Sequence, residues 1–260
     1  MKKNSIMIVV ALVLSSLFFM DCFMFPEGEL AGKSSLGATD SKGVAVVELF
    51  TSEGCSSCPS ADALMAKMQG EVSGRAVYFL AYHVDYWDQL GWKDRFSSGQ
   101  FTGRQQQYQD WLGLNVMYTP QFVVNGASEF GGDSERTLYS KVSDALKIKA
   151  ASEIALRVAV SGDSLRVNYT VSDVQKNSSL FIATVEKKAT TKVARGENSR
   201  RLLHHVQIVR QTTVVVLDKK EGSVVILKPE NFNEREWELV GFVQDNVSGV
   251  ISGATKGGFN

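Results

Sequence analysis

The sequence predicts an α/β domain followed by an all-β antiparallel sandwich domain, with the change of texture falling near Ser152. Before that point apolar runs alternate with stretches of helical period; after it, short alternating runs follow one another with no helical period. A further observation is chemical. Cys55-Ser-Ser-Cys58 ends the apolar run that starts at Val44, and Thr119-Pro120 opens a later one.

The elements follow in order. Val44 to Phe50 is almost continuously apolar, as in a strand covered on both faces. A helix should follow the cysteines, with Ser56 or Ser57 as its cap, Pro59 in its first turn, and Ala61, Leu64, Met65 and Met68 as its apolar face before Gly70. Ala76 to Val84 is a second strand, and Gln100 to Leu112 a polar helix that packs through Phe101, Tyr108, Trp111 and Leu112. Asn125-Gly126 is a dipeptide suited to a turn with two positive φ values, so Gln121 to Asn125 and Ser128 to Gly131 form a hairpin. Ser134 to Ala150 closes this part as a helix, capped by Ser134 or Asp133. Beyond Ser152, Ile154 to Val160 and Leu165 to Val171 flank a Ser161-Gly-Asp-Ser164 turn. Leu180 to Glu186, Leu203 to Leu217, Gly222 to Leu227 and Trp237 to Gln244 continue the strand pattern. The division read from this is 43–150 for the first domain and 153–255 for the second.

The segments Val46 to Asp62 (VVELFTSEGCSSCPSAD), His83-Val-Asp-Tyr-Trp-Asp88 with Gly91-Trp-Lys-Asp94, and Tyr118-Thr-Pro-Gln121 resemble a bacterial secreted family described as domain of unknown function twelve twenty-three. The likeness continues through Arg195-Gly-Glu-Asn198, Leu203-His204, Val209-Arg210 and Phe242-Val-Gln-Asp245. It implies a thioredoxin-like fold and a dithiol. The order strand, helix, strand, helix, hairpin, helix is also the thioredoxin-like order.

Two cysteines delivered by a strand to the start of a helix suit reversible dithiol–disulfide chemistry. Cys55 is the expected nucleophile, because the unpaired amides and dipole at a helix start stabilise a thiolate, and Cys58 the resolving thiol. Pro120, in folds of this type often preceded by a cis bond, leaves Thr119 free to pair with a bound chain beside Cys55. Thioredoxins carry a buried acid close to the position of Glu48, so Glu48 is a candidate to exchange a proton with Cys58; the alternative is a glutamate satisfied by local hydrogen bonds. His83-Val-Asp-Tyr-Trp-Asp88 leaves the edge of the sheet where α/β folds place ligands. His83, Asp85 and Trp87 are therefore candidate substrate-binding residues, His83 and Asp85 being spaced as an oriented imidazole or a ligand pair. Packing of a long loop by Tyr86, Trp87 and Trp92 is the competing reading. His204 and His205 read as structural strand positions, and Arg104 with Tyr108 as a surface pair.

Lys2-Lys3 followed by the uncharged run Ile6 to Met20 reads as an export signal within 1–25, with lipidation of Cys22 or an uncleaved anchor ending at Phe25 as alternatives. Residues 26–42 read as a flexible leader. Lys plus Arg and Asp plus Glu balance at 28 each, with no basic stripe, which argues against nucleic acid. The function expected is that of an exported thiol–disulfide oxidoreductase of the periplasm or cell envelope. It acts on a protein or small-molecule thiol or disulfide, with a membrane electron donor and an N-terminal membrane tether as candidate partners and no cofactor. The alternatives are copper(I) delivery through the same thiolates and an envelope interaction module with a structural disulfide. Zinc would need His83, His204 or His205 to complete its shell.

Overall fold

The computed structural model describes residues 43–259. The segments expected to be an export signal (1–25) and a flexible leader (26–42), with Cys22, lie outside the described residues. β1 (Ala45–Thr51) leads through a tight turn into α1 (Cys58–Glu71), followed by β2 (Val77–His83), a short 3-10 turn at Asp88–Leu90, α2 (Gly99–Leu112), the hairpin β3 (Gln121–Val124) and β4 (Ser128–Gly131), and α3 (Glu135–Lys147). The remainder is β5 (Ile154–Ser161), β6 (Ser164–Val171), β7 (Ser178–Lys192), β8 (Leu202–Val216), β9 (Glu221–Leu227), β10 (Trp237–Asp245), β11 (Ile251–Lys256) and β12 (Gly258–Phe259).

Pairing overturns the expected fold class. A thioredoxin-like α/β domain followed by an antiparallel sandwich requires two sheets that end where the domains end. Instead β8 joins β2 in parallel at Ala81 and Ile208, and one mixed sheet of eight described strands runs β11-β10-β7-β8-β2-β1-β3-β4. The second sheet has four described strands, β12-β5-β6-β9. The physical reason lies in the length of β7 and β8, 15 residues each. Their Ser179 to Glu186 and Ile208 to Val216 portions pair beside β10, while Lys188 to Lys192 and Leu202 to Val206 extend the ribbon further.

Alternation along the strands sends the two faces of this sheet into different cores. Ala45, Val47 and Leu49 of β1 pack with Ala61, Met65 and Met68 of α1 and with Leu138 and Val142 of α3. Val46 and Phe50 face the other way, onto Phe101 and Tyr108 of α2, and that core continues into Phe181 and Val185 of β7 and Phe242 of β10. Leu180 and Ile182 of β7 and Leu239 of β10 close against Leu156, Val158, Leu165 and Val167 of the second sheet. The Asn125-Gly126 turn has φ of 50° and 64°, the mirror-image geometry its sequence specifies. Ser57 precedes α1 without a side-chain capping bond, unlike the expected serine cap.

Candidate functional site

The turn after β1 is built to hold a tight bend. Gly54 donates its amide to Ser52 Oγ at 3.0 Å, and Cys55 donates to the Ser52 carbonyl at 3.2 Å. A Cβ on Gly54 would stand 3.1 Å from Trp87 Cβ, so glycine lets the indole close over the turn. Cys55 and Cys58 are joined as a disulfide, with their Cα atoms 5.4 Å apart. Both are buried, at 1% and 0% exposure, although Ser56 and Ser57 between them are exposed.

Antiparallel pairing of β1 with β3, Phe50 opposite Gln121, brings the residues before β3 to the same edge. The Thr119–Pro120 peptide is cis, and the Thr119 carbonyl oxygen lies 3.8 Å from Cys55 Sγ. Trp87 Nε1 donates to Thr119 Oγ1 at 2.8 Å. Gly132 fits beneath Pro120: an added Cβ would come within 2.5 Å of the proline ring and 2.7 Å of Ala61 Cβ on α1. Cys55, Cys58, Thr119, Pro120 and Trp87 therefore converge.

The other candidates go elsewhere. Glu48 shares its face of β1 with Val46 and Phe50, opposite α1, and its Oε1 accepts from Arg104 Nε at 2.6 Å while Tyr108 OH donates to its Oε2. Arg104 also donates to Gln244 Oε1 at 3.2 Å and to Tyr108 OH at 3.0 Å. The expected surface pair Arg104 and Tyr108 is thus buried, and the neighbouring Gln105 also turns inward, donating to the Tyr118 carbonyl and Gln121 Oε1. Asp85 accepts from Thr102 Oγ1 at 2.6 Å and does not pair with His83.

His83 instead enters a buried group of acids and imidazoles at the ends of β1, β2 and β8. Its Nδ1 lies 2.6 Å from Asp94 Oδ2, which also accepts from the Glu53 amide at 2.9 Å. Glu53 accepts from Trp92 Nε1 at 2.8 Å, and its second carboxylate oxygen stands 3.3 Å from His205 Nε2, without the alignment of a hydrogen bond. The two imidazole rings are 5.0 Å apart, and Phe96 meets both edge-on. Asp62, on the buried face of α1 with Cys58, accepts from Thr51 Oγ1 at 3.2 Å. Burial disfavours a charged His83, but the Asp94 carboxylate outweighs it, and Asp62 and Glu53 add to that pull; the imidazolium is favoured. Burial likewise opposes ionisation of Asp94, and His83 reverses it, holding the carboxyl below the ordinary aspartate range. In Asp62 burial prevails over the attraction of His205 and His83, and the carboxyl is pushed up. No cluster of three or more His, Cys, Asp or Glu suited to a metal ion occurs among the described residues.

The segment between β7 and β8 completes the site. Asn198, wholly buried, donates from Nδ2 to the carbonyls of Glu53 at 3.0 Å and Cys55 at 2.8 Å, and Arg201 Nη1 donates to its Oδ1 at 2.7 Å. Glu197 accepts the Ser56 amide at 3.0 Å, so a carboxylate sits on an amide of the turn that leads into α1. Asp62, Glu53, Asp94 and Asn198 were not singled out as site residues from sequence, and His205 read there as a structural strand position. The visible signal was a polar residue inside an apolar period for Asp62 and His205, and the Arg195 to Asn198 motif for Asn198.

Comparison with solved structures finds a protein from Agrobacterium tumefaciens, known from a crystal structure, at 29% identity and a TM-score of 0.63, covering 85% of this chain and 95% of that one. A domain of the outer membrane lipoprotein Omp28 from Porphyromonas gingivalis aligns at 12% identity and a TM-score of 0.28, over 43% of this chain and 89% of that one. No curated protein matches. No helix among the described residues is long and apolar enough to cross a membrane. The model of the family described as "Protein of unknown function (DUF1223)" matches residues 46–244, and the chain belongs to that family.

Proposed function

We propose that this protein is an exported thiol–disulfide oxidoreductase whose Cys55–Cys58 pair exchanges with a protein or small-molecule thiol. The observation that carries the reading is the convergence of the disulfide, the cis Thr119–Pro120 peptide and Trp87 at one edge of the sheet. A substrate thiolate attacks Cys55 Sγ, forming a mixed disulfide and releasing Cys58. A second substrate thiol then attacks the substrate sulfur and expels Cys55, so two electrons pass from substrate to protein. The reverse sequence oxidises the protein and reduces a disulfide. Thr119 offers backbone groups to an extended substrate, and the exposed Ser56 and Ser57 are where an incoming chain meets the site. An electron donor or acceptor in the envelope resets the pair, and the Lys2 to Met20 segment supplies the export signal that the activity requires.

The burial of both cysteines favours a second reading, a structural bridge in an envelope interaction module. Trapping separates the two. Cys58→Ser accumulates mixed disulfides through Cys55 under the exchange reading, and Cys55→Ser does not. Absence of any adduct on Cys58→Ser, together with a native bridge that dithiothreitol leaves intact, leaves only the structural reading.

A further inference from the structure

Asp62 stands where chemistry has to account for it. The buried face of α1 is otherwise Cys58, Ala61, Met65 and Met68, and burial there strongly disfavours a carboxyl that ionises without a partner. Its one hydrogen bond among the described residues comes from Thr51, at 3.2 Å. Cys58 and Asp62 are both buried on α1 and one helical turn apart, the spacing at which side chains on one helix face are neighbours. The titratable groups that act on it are His205 on β8, His83 at the end of β2 and Asp94 before α2, with Glu53, in the turn after β1, acting in turn on His83. Asp94 matches His83, and Glu53 lies against His205. Asp62 thus shares the two imidazoles with Asp94 and Glu53 and forms no ion pair of its own among the described residues.

We infer that Asp62 is the proton donor to Cys58: it protonates the leaving sulfur as the Cys55–Cys58 bond breaks and is then reloaded through solvent. This rests on the exchange reading. As the substrate thiolate bonds to Cys55 Sγ, the electron pair of the broken S–S bond goes to Cys58 Sγ, which takes the proton of the Asp62 carboxylic acid directly or through one water. The substrate's second thiol releases its proton as it closes the substrate disulfide. Through solvent that proton restores Asp62, and Cys55 leaves as a thiolate. Burial, which favours the protonated carboxyl, keeps the donor loaded.

The test is reduction of the oxidised protein by dithiothreitol, followed by alkylation shift across the pH range and normalised to the dithiothreitol thiolate. Below the Asp62 pKa, wild type should be reduced about a hundredfold faster than Asp62→Asn, the lower end of what a placed general acid supplies. As pH rises through that pKa the ratio should fall about tenfold per unit, then drop below one, because an ionised Asp62 repels the Cys58 thiolate and an asparagine does not. Thr51→Val removes the hydroxyl that favours ionised Asp62, so the bend in its profile should move to higher pH. A ratio independent of pH overturns the assignment. If Asp62→Asn does not fold, an unmoved bend in Thr51→Val overturns it. Wild type that dithiothreitol never reduces overturns the exchange reading itself and this role with it, whereas wild type reduced with a flat ratio removes Asp62 alone.

Discussion

Glu48→Leu separates stability from chemistry. The Glu48 carboxylate is fully buried, lies 2.6 Å from Arg104 Nε and is also bonded by Tyr108. Its removal strands a guanidinium that is 6% exposed. Arg104 keeps the faces of Tyr82, Tyr108, Phe181 and Phe242, with its Cζ 4.9 to 5.4 Å from their centroids, and a bond to Gln244. Those contacts exist before and after the change, so they do not offset it. Removing one partner of a buried pair costs about 3–5 kcal/mol. For a chain of this size that is a fall in Tm of about 6–20 °C. The double variant Glu48→Leu with Arg104→Met should return to within about 1 kcal/mol of wild type, because two desolvated charges disappear together. The assay is urea unfolding of wild type and the two variants, with dithiothreitol reduction measured on each well below its transition. A single variant that loses less than about 1 kcal/mol, or a double variant no better than the single, refutes the reasoning. Loss of exchange in a folded Glu48→Leu would restore Glu48 to the chemistry.

Three further outcomes follow from the same structure. His83→Gln should cost most at low pH: the folded-state imidazole pKa is raised, so its contribution is complete below the unfolded value near 6.5 and disappears as pH rises through the folded one, which unfolding at pH 5 and pH 9 reads directly. Asn198→Ala removes the donor to two buried carbonyls, should cost about 2–4 kcal/mol, and should speed alkylation of Cys55 in the reduced protein; unchanged alkylation would show that the β7–β8 segment does not guard the sulfur. Gly132→Ala puts a methyl group into the Pro120 ring and Ala61, with an expected loss of about 1–3 kcal/mol and slower exchange, and a neutral result in both measurements would show that Pro120 is not held from below.

Local sequence carried the parts that depend on neighbours in the chain. The cysteine pair, the cis proline and the Asn125-Gly126 turn are each set by a few adjacent residues, and each was legible. The parallel contact between Ala81 and Ile208 was not, since alternation says which residues face a core but not which strand lies alongside. The same limit hid the buried polar residues. Arg104 and Gln105 look like solvated helix positions until Glu48 and Gln121 arrive from β1 and β3 to meet them. His83 with Asp85 was the tempting local pair, yet the imidazole takes Asp94, because the side chains meet in a pocket that the spacing of the motif does not describe.

The clamp made by Asn198 has a consequence for the order of events during synthesis. Its bonds to Glu53 and Cys55 span 145 and 143 residues, among the most non-local in the chain, and contacts of that separation close late. Cys55 and Cys58 therefore emerge long before the segment that holds their turn has been made. During that interval the sulfurs are open to whatever thiols, oxidants or folding catalysts the nascent chain meets. Only when Asn198 and Glu197 seat is the backbone of that turn held from the far end of the chain.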